Sequence, residues 1–302
     1  SSRSGFTGPF WLPRDASHGA GAASLVMKRG EGASDEKVLK QVSVIVPAYN
    51  ETENIRPLVE RLFKATGGAG LEAECIVVDD ESAGSDETEK IVKKLAAEGH
   101  PVRIHCRKKK EGRGLSSAVL LGFDMAKYQV ILCMDADLQH EPESVPDIAR
   151  PVLQREAEFS IGSRHVAGGG LGFEWSMFRQ VVSMGASLLA YPLATSTDPM
   201  SGFFCTRKDI LARGRKNINS IGFKIGLEVM VRCKCASIQD VGITFQERIH
   251  GESKLTAKQY KLYLEQLAAL YWDKYSMFLP LVLILIIMLA FMLMAIVPKA
   301  LR

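Results

Sequence analysis

Residues 130–139 read VILCMDADLQ. Five apolar residues in a row, too short for an ordinary helix, predict a strand buried on both faces, and the aspartates that follow mark where it opens into a loop. The same pattern occurs upstream: VSVIV (42–46) runs into Pro47, Ala48, Tyr49, Asn50 and Glu51, and CIVV (75–78) into Asp79, Asp80, Glu81 and Ser82. Helical periodicity follows at 55–66, 86–97 and 115–127, the second stretch with Ser85 as its N-cap. Further strands are expected at 102–106 and 159–161. Continuous apolar strands alternating with helices predict an α/β domain, its parallel sheet covered on both faces. Ligands bind such sheets beyond the carboxyl ends of the strands. Here three strand ends direct carboxylates and a tyrosine at one crevice. A lone Asp-Asp after a strand is commonly a turn or helix cap, but three such ends together point to a site.

Asp135 and Asp137 stand at i, i+2 where a strand opens, so both can address one cation. With Gln139 they form an oxygen-only donor set that suits Mg²⁺ or Mn²⁺ rather than zinc. Asp80 then belongs to a nucleoside rather than to the metal. No G-x-G-x-x-G follows the first strand and no G-x-x-x-x-G-K-[ST] occurs, which disfavours dinucleotide oxidoreduction and P-loop hydrolysis. The 302 residues carry 38 Lys+Arg against 34 Asp+Glu, and a net charge of +4 does not by itself point to nucleic acid. At 47% hydrophobic and 24% charged, the chain is neither collagen-like nor globally disordered. Six cysteines are too sparse for a disulfide scaffold, and Cys233 and Cys235 lack the second pair a zinc site needs.

The ends differ from the middle. Residues 1–40 are rich in Gly, Ser and Ala without a period, and read as a flexible tail with no secretory h-region. Residues 276–297 (SMFLPLVLILIIMLAFMLMAIV) are 22 residues without a charge. As a helix they would extend about 33 Å, enough for a hydrocarbon core of about 30 Å, so a C-terminal transmembrane helix is expected. Two stretches, 175–196 and 256–275, read as amphipathic helices that either face the core or lie on a bilayer. The run RKKK (107–110) reads as a solvated loop.

VSVIVPAYNETENI (42–55), VVDDES (77–82) and MDADLQHEPE (134–143) resemble the family 2 glycosyltransferases of the GT-A fold, whose D-x-D holds a divalent ion against a nucleotide-sugar diphosphate. GRGLSSAVLLGF (112–123), IGSRHVAGGG (161–170), DPMSGFF (198–204), GFKIGLEVMVR (222–232) and ERIHGESKL (247–255) resemble the dolichol-phosphate mannose synthase family within it. The resemblance covers residues 41–300, and the C-terminal span is similar to the form of that family that needs no separate anchoring subunit. His165 stands where the family often has Tyr, and Glu81-Ser82-Ala83-Gly84 replaces its usual turn.

The resemblance implies a Rossmann-like GT-A domain with a mostly parallel sheet over 41–255, an interfacial helix over 256–275 and one membrane span over 276–297. It implies that Pro47, Tyr49, Glu51, Val78 and Asp80 cradle the guanosine of GDP-mannose. Asp135, Ala136 and Asp137 would meet the diphosphate and metal, with Gln139 a further ligand, and Arg164, Arg248 and Lys254 would bind anions. Asp137, Arg164, Arg248 and Lys254 are thereby the expected catalytic residues, and Arg179 and Ser253 the softer candidates for the acceptor phosphate. The implied reaction moves mannose from GDP-mannose to dolichyl phosphate with inversion, giving a lipid-linked mannose donor for glycosylation and GPI-anchor synthesis. It would run at the endoplasmic reticulum membrane with the catalytic domain facing the cytosol. An ionised lipid phosphate needs no general base; were the acceptor a hydroxyl, Asp198 and Glu228 would be the bases. Glucose transfer to a polyprenyl phosphate and a non-catalytic nucleotide-sugar binding protein are the other readings.

Overall fold

The structure, a computed structural model, describes residues 39–111, 114–173, 177–249 and 257–278, with 284, 287 and 288. Its elements run β1 (Gln41–Ala48), α1 (Thr52–Gly68), β2 (Glu72–Asp79), α2 (Ser85–Ala97), β3 (Val102–Cys106), α3 (Leu115–Met125) and β4 (Val130–Cys133). There follow α4 (Val145–Leu153), β5 (Phe159–Ser163), β6 (Gly170–Leu171), α5 (Met177–Ala190), β7 (Phe204–Arg207) and α6 (Lys208–Gly214). The last are α7 (Ile225–Arg232), β8 (Ile238–Gly242), β9 (Thr244–Phe245) and α8 (Ala257–Tyr275).

The strand runs are continuous because both faces of the sheet are covered. Along β1, Val42, Val44 and Val46 pack against Ile55, Leu58 and Leu62 of α1 and Ile148 and Val152 of α4. Ile45, between them, faces the opposite layer with Val119 and Phe123 of α3 and Leu227 of α7. Each such fully buried side chain contributes about 1.5–3 kcal/mol, so neither face tolerates a polar alternation.

The main sheet has seven strands in the order β3-β2-β1-β4-β7-β5-β8, and β6 pairs with β9 separately. The sheet is mostly parallel, as the resemblance implies, and only the reading of continuous apolar strands as wholly parallel needs correcting. The short β7 runs antiparallel to both β4 and β5, so the sheet is mixed. A four-residue FCTR segment has too few residues to show a period, and only its insertion between two strands makes it one.

Local boundaries also shift for identifiable reasons. Ser85 is the first residue of α2 rather than its cap; Gly84 holds the cap position and the Ser85 hydroxyl donates to the Asp79 carboxylate. α3 stops at Met125, short of 127, because the Lys127 N–H donates to Glu74 Oε1 at 2.6 Å and the Tyr128 N–H to Ser43 Oγ at 3.0 Å. α5 ends at Ala190, before 196. Leu39 belongs to the fold rather than to a tail, since its N–H donates to Leu153 O at 3.2 Å. Residues 1–38, and most of 276–297, lie outside the described residues. Among the described residues no helix is long and apolar enough to cross a membrane.

α3 approaches β1 through Gly122, where an added Cβ would stand 2.4 Å from Ile45 Cγ2. Gly122→Ala should therefore lower stability by about 1–3 kcal/mol through overpacking, beyond the gain of about 1 kcal/mol in helix propensity. Denaturant unfolding measures the difference; an unchanged midpoint would contradict this contact.

Candidate active site

The acidic turn after β4 is built rigidly. Met134 N–H donates to Ile45 O at 3.0 Å, keeping the strand in register to its end. Leu138 then takes a left-handed φ of 60°, and the Gln139 N–H returns to Asp137 Oδ1 at 3.2 Å. Beneath the turn, His140 is buried between the rings of Phe203 and Phe245, and its Nδ1 accepts the Asp135 N–H at 3.4 Å. His140 thus buttresses Asp135 from below, a role its sequence context did not disclose.

Arg248, which follows β9, crosses 111 positions of sequence to reach this turn. Its Nη2 donates to Asp137 Oδ2 at 2.6 Å and to Gln139 Oε1 at 3.2 Å, while its Nε donates to the same carboxylate at 3.1 Å. Gln139 is held in turn by Gln246, whose N–H donates to Gln139 O at 2.9 Å and whose carbonyl accepts Gln139 Nε2 at 3.0 Å. Three of the expected site residues are therefore in direct contact.

The donor set fits a divalent cation. Asp137 Oδ2 and Gln139 Oε1 already converge on a single positive group, the Arg248 guanidinium. Burial pushes the Asp135 carboxyl above the ordinary carboxylate range, and nearby Asp137 adds to the shift while His140, Lys224 and Arg248 oppose it. Two carboxylates and an amide oxygen match the preference of Mg²⁺ or Mn²⁺. Among the described residues no group of three His, Cys, Asp or Glu side chains is placed to hold a metal.

Arg164 stands on the neighbouring rim, after β5. Its Nε and Nη2 donate to the Asp198 carboxylate at 2.7 and 2.8 Å, its N–H adds a third bond at 3.2 Å, and its guanidinium lies over the Phe245 ring. Asp240 on β8 fixes the loop that presents Asp198, accepting from Ser196 Oγ and Thr197 N–H at 2.7 Å each. Burial alone would raise the Asp198 carboxyl; the Arg164 fork reverses that and holds it below the usual range. Asp198 is thus a fully engaged counter-ion and not a base. Glu228 is no better placed. It is buried under α8, facing Asn219 N–H, Gln266 and Arg232, and burial raises its carboxyl.

Arg179 of α5 belongs to the same rim. Burial lowers its pKa, and the positive charges of Arg164 and Arg248 lower it further. Lys224, at the start of α7, adds a fourth cation that the sequence reading did not single out. Burial lowers its pKa against the pull of Asp135, and its Nζ donates to Met200 O at 2.7 Å. Such crowding is relieved by an anion.

The nucleoside residues divide. Pro47 and Val78 are register partners at the ends of β1 and β2, and the Val78 side chain is fully buried in the core. Tyr49 is exposed at the rim, Glu51 accepts Asn54 Nδ2 at 2.7 Å, and Ala136 is buried. Asp80 is paired with Arg107, whose Nη2 donates to its Oδ1 at 2.7 Å. This overturns the solvated-loop reading of 107–110 at its first residue, since Arg107 is only 1% exposed. Lys254 and Ser253 lie outside the described residues.

The fold and site define a transferase class. Residues 43–214 match the model of glycosyl transferase family 2, and the chain belongs to that family. It is 43% identical over 243 residues to the dolichol-phosphate mannosyltransferase of Saccharomyces cerevisiae, covering 78% of this chain and 89% of that protein. It is 41% identical over 276 residues to the dolichol-phosphate mannosyltransferase of Mycosarcoma maydis, covering 88% and 92%. In structure it is similar to mannosyl-3-phosphoglycerate synthase from Rubrobacter xylanophilus, with a TM-score of 0.55 at 18% identity over 78% of this chain and 75% of that one. That likeness supports the GT-A-like fold with its mostly parallel sheet.

Held below its unfolded value, the Asp198 carboxyl adds stability that is present above the unfolded pKa and lost as pH falls through the folded one. Arg164→Met reverses the sign, because an unpaired buried carboxyl titrates above its unfolded value. The variant should lose about 3–5 kcal/mol at pH 7, with the deficit narrowing as pH approaches about 4. Chemical unfolding at both pH values measures this, and a deficit that widens on acidification would refute the pairing.

Proposed function

We propose that the protein transfers mannose from GDP-mannose to the phosphate of dolichyl phosphate and releases GDP. The observation that carries this reading is Arg248 lying across Asp137 and Gln139, with Arg179 in the field of both Arg164 and Arg248. A donor diphosphate and an acceptor phosphate bring several negative charges to one place, and this mouth offers the matching cations. The relatives named dolichol-phosphate mannosyltransferase support the same donor sugar and acceptor.

In the reaction, an acceptor phosphate oxygen attacks the anomeric carbon while the bond to the GDP oxygen breaks, inverting an α-linked donor to a β-linked product. The phosphate is ionised near neutral pH, so no proton has to be removed. The engagement of Asp198 by Arg164 is in keeping with that, since it leaves this carboxylate to orient a cation rather than act as a base. Arg164, Arg179 and Arg248 would position the acceptor phosphate and the diphosphate, and in-line placement supplies much of the rate. Asp135, Asp137 and Gln139 would hold a divalent cation, which when bound supplies charge stabilisation to the departing diphosphate.

The surface beside this mouth suits a lipid substrate. Met177, Val181, Met184 and Leu188 form an exposed stripe along α5 at helical spacing, with Met184 67% and Leu188 71% exposed, and the exposed Tyr191 follows just past its end. α8 packs alongside, its Tyr263 and Tyr271 hydroxyls donating to Ala186 O and Leu189 O at 2.7 and 2.8 Å. Leu264 and Trp272 of α8 are exposed as well. We read these helices as interfacial and residues 276–297 as a single anchor in the endoplasmic reticulum membrane, with the catalytic domain in the cytosol where nucleotide sugars are made. A chain carrying its own anchor would need no separate anchoring subunit.

Purified protein offered labelled GDP-mannose or UDP-glucose with dolichyl phosphate should place label in the lipid phase from GDP-mannose alone, and only with Mg²⁺ or Mn²⁺ present. Asp137→Ala should reduce that transfer by about a hundredfold or more while leaving the circular dichroism spectrum unchanged. Label from UDP-glucose instead would move the donor assignment. In protein truncated after Tyr275, so that the proposed anchor does not itself hold the chain, the paired change Met184→Glu and Leu188→Glu should cut the fraction that floats with liposomes and leave GDP affinity as it was; equal flotation would contradict the interfacial reading of α5.

A further inference from the structure

Arg107 does not behave like the lysines that follow it. Its N–H donates to Asp79 O at 2.8 Å, prolonging β3, and its side chain turns inward while Lys108 and Lys110 remain exposed. Withdrawing a guanidinium from water is strongly unfavourable unless every gain comes from its partners. Here those partners close a ring. Nη2 donates to Asp80 Oδ1 at 2.7 Å and to Gly114 O at 3.1 Å, and Nη1 donates to Ser117 Oγ at 2.8 Å. Ser117 Oγ donates to Gly114 O at 2.9 Å, and the Gly114 N–H donates to Asp80 Oδ2 at 2.7 Å.

Two features distinguish this ring from an ordinary buried ion pair. The buried Nε–H finds no acceptor among the described residues, so the guanidinium is placed for its contacts with Asp80 and Ser117 at the expense of a satisfied donor. The pair is also one-sided: Arg107 is 1% exposed and the Asp80 side chain 14%, so the edge that meets the crevice is the carboxylate. Each Asp80 oxygen is pinned by one donor from behind and keeps a lone pair for a donor in front. A carboxylate fixed in one plane is matched by a base that presents two adjacent N–H donors, as guanine does with N1–H and its 2-amino group.

We infer that Arg107 is the positioning residue of the nucleobase end of the donor site: it aims Asp80 and locks Asp80 to the start of α3 as one unit. The inference rests on the reading of Asp80 as the nucleoside contact. It concerns base recognition alone, so its signature is a change in nucleotide affinity and base preference rather than in the sugar-transfer step.

The test is a double-mutant cycle of nucleotide affinity by calorimetry on the full chain in detergent, with wild type, Asp80→Asn, Arg107→Met and the double variant. The probe is whichever of GDP and UDP wild-type protein binds more tightly, so an error in the donor assignment appears in wild type and does not disturb the cycle. Arg107→Met and Asp80→Asn should each weaken binding about tenfold or more, and the double variant should be within about twofold of the weaker single one. With GDP as the probe, preference over inosine diphosphate, which lacks the 2-amino group, should collapse in Arg107→Met and be partly kept in Arg107→Lys. In transfer assays the loss should fall on the donor KM more than on kcat. Where Arg107→Met does not fold, the double variant, which leaves no buried charge alone, is compared with Asp80→Asn, and a further tenfold loss overturns the inference. Additive losses, or wild-type affinity and base preference in folded Arg107→Met, overturn it while leaving Asp80 in place. Wild-type affinity in Asp80→Asn removes both assignments.

Discussion

Asp135 and Asp137 are like charges held two residues apart at the end of a buried strand, and the surrounding structure answers their repulsion. A carboxylate in a low-dielectric interior is costly unless it is paired. The answers come from widely separated parts of the chain. Arg248 returns from beyond β9 to Asp137, Lys224 contributes its field from the start of α7, and His140 holds the backbone of Asp135 from below. The sheet supplies the rigid floor, since β1 carries β4 in register to Met134.

The same logic governs the cationic rim. Arg164 is oriented by a buried Asp198, which is itself presented by a loop tied to Asp240. Arg164 and Arg248, like Asp80, are thus backed by an opposite charge or a hydrogen-bonded network that fixes their direction. Arg107 and Asp80 repeat the arrangement at the nucleoside end with the signs exchanged, the cation inside and the carboxylate at the edge.

The apolar face is mechanically joined to this site. Gln266 of α8 donates to Lys224 O at 3.2 Å and to Glu228 Oε1 at 3.3 Å, and Arg232 pairs with Asp273 at 3.0 Å. These bonds fasten α8 to α7, the helix whose first turn follows Lys224. A helix that would rest on a bilayer is therefore clamped to the element that supplies one of the cations around Asp135. The buried Glu228, which fails as a base, finds its explanation in that clamp.

What the sequence determined by itself was whatever depends on near neighbours. Unbroken apolar runs declare strands covered on both faces, the polar residues after them fall at strand ends, and Asp135, Asp137 and Gln139 share one turn, so the crevice and its acidic loop were legible. Tertiary structure decided every pairing across distance: β7 as the antiparallel insert, Arg248 on Asp137, Arg164 on Asp198, and Arg107 drawn inward to Asp80 rather than left in solvent with its lysine neighbours. A side chain's type states which charge it carries. Whether that charge is solvated, buried or spent on a partner depends on which strands lie side by side, and hydrophobic burial over the whole sheet sets that order.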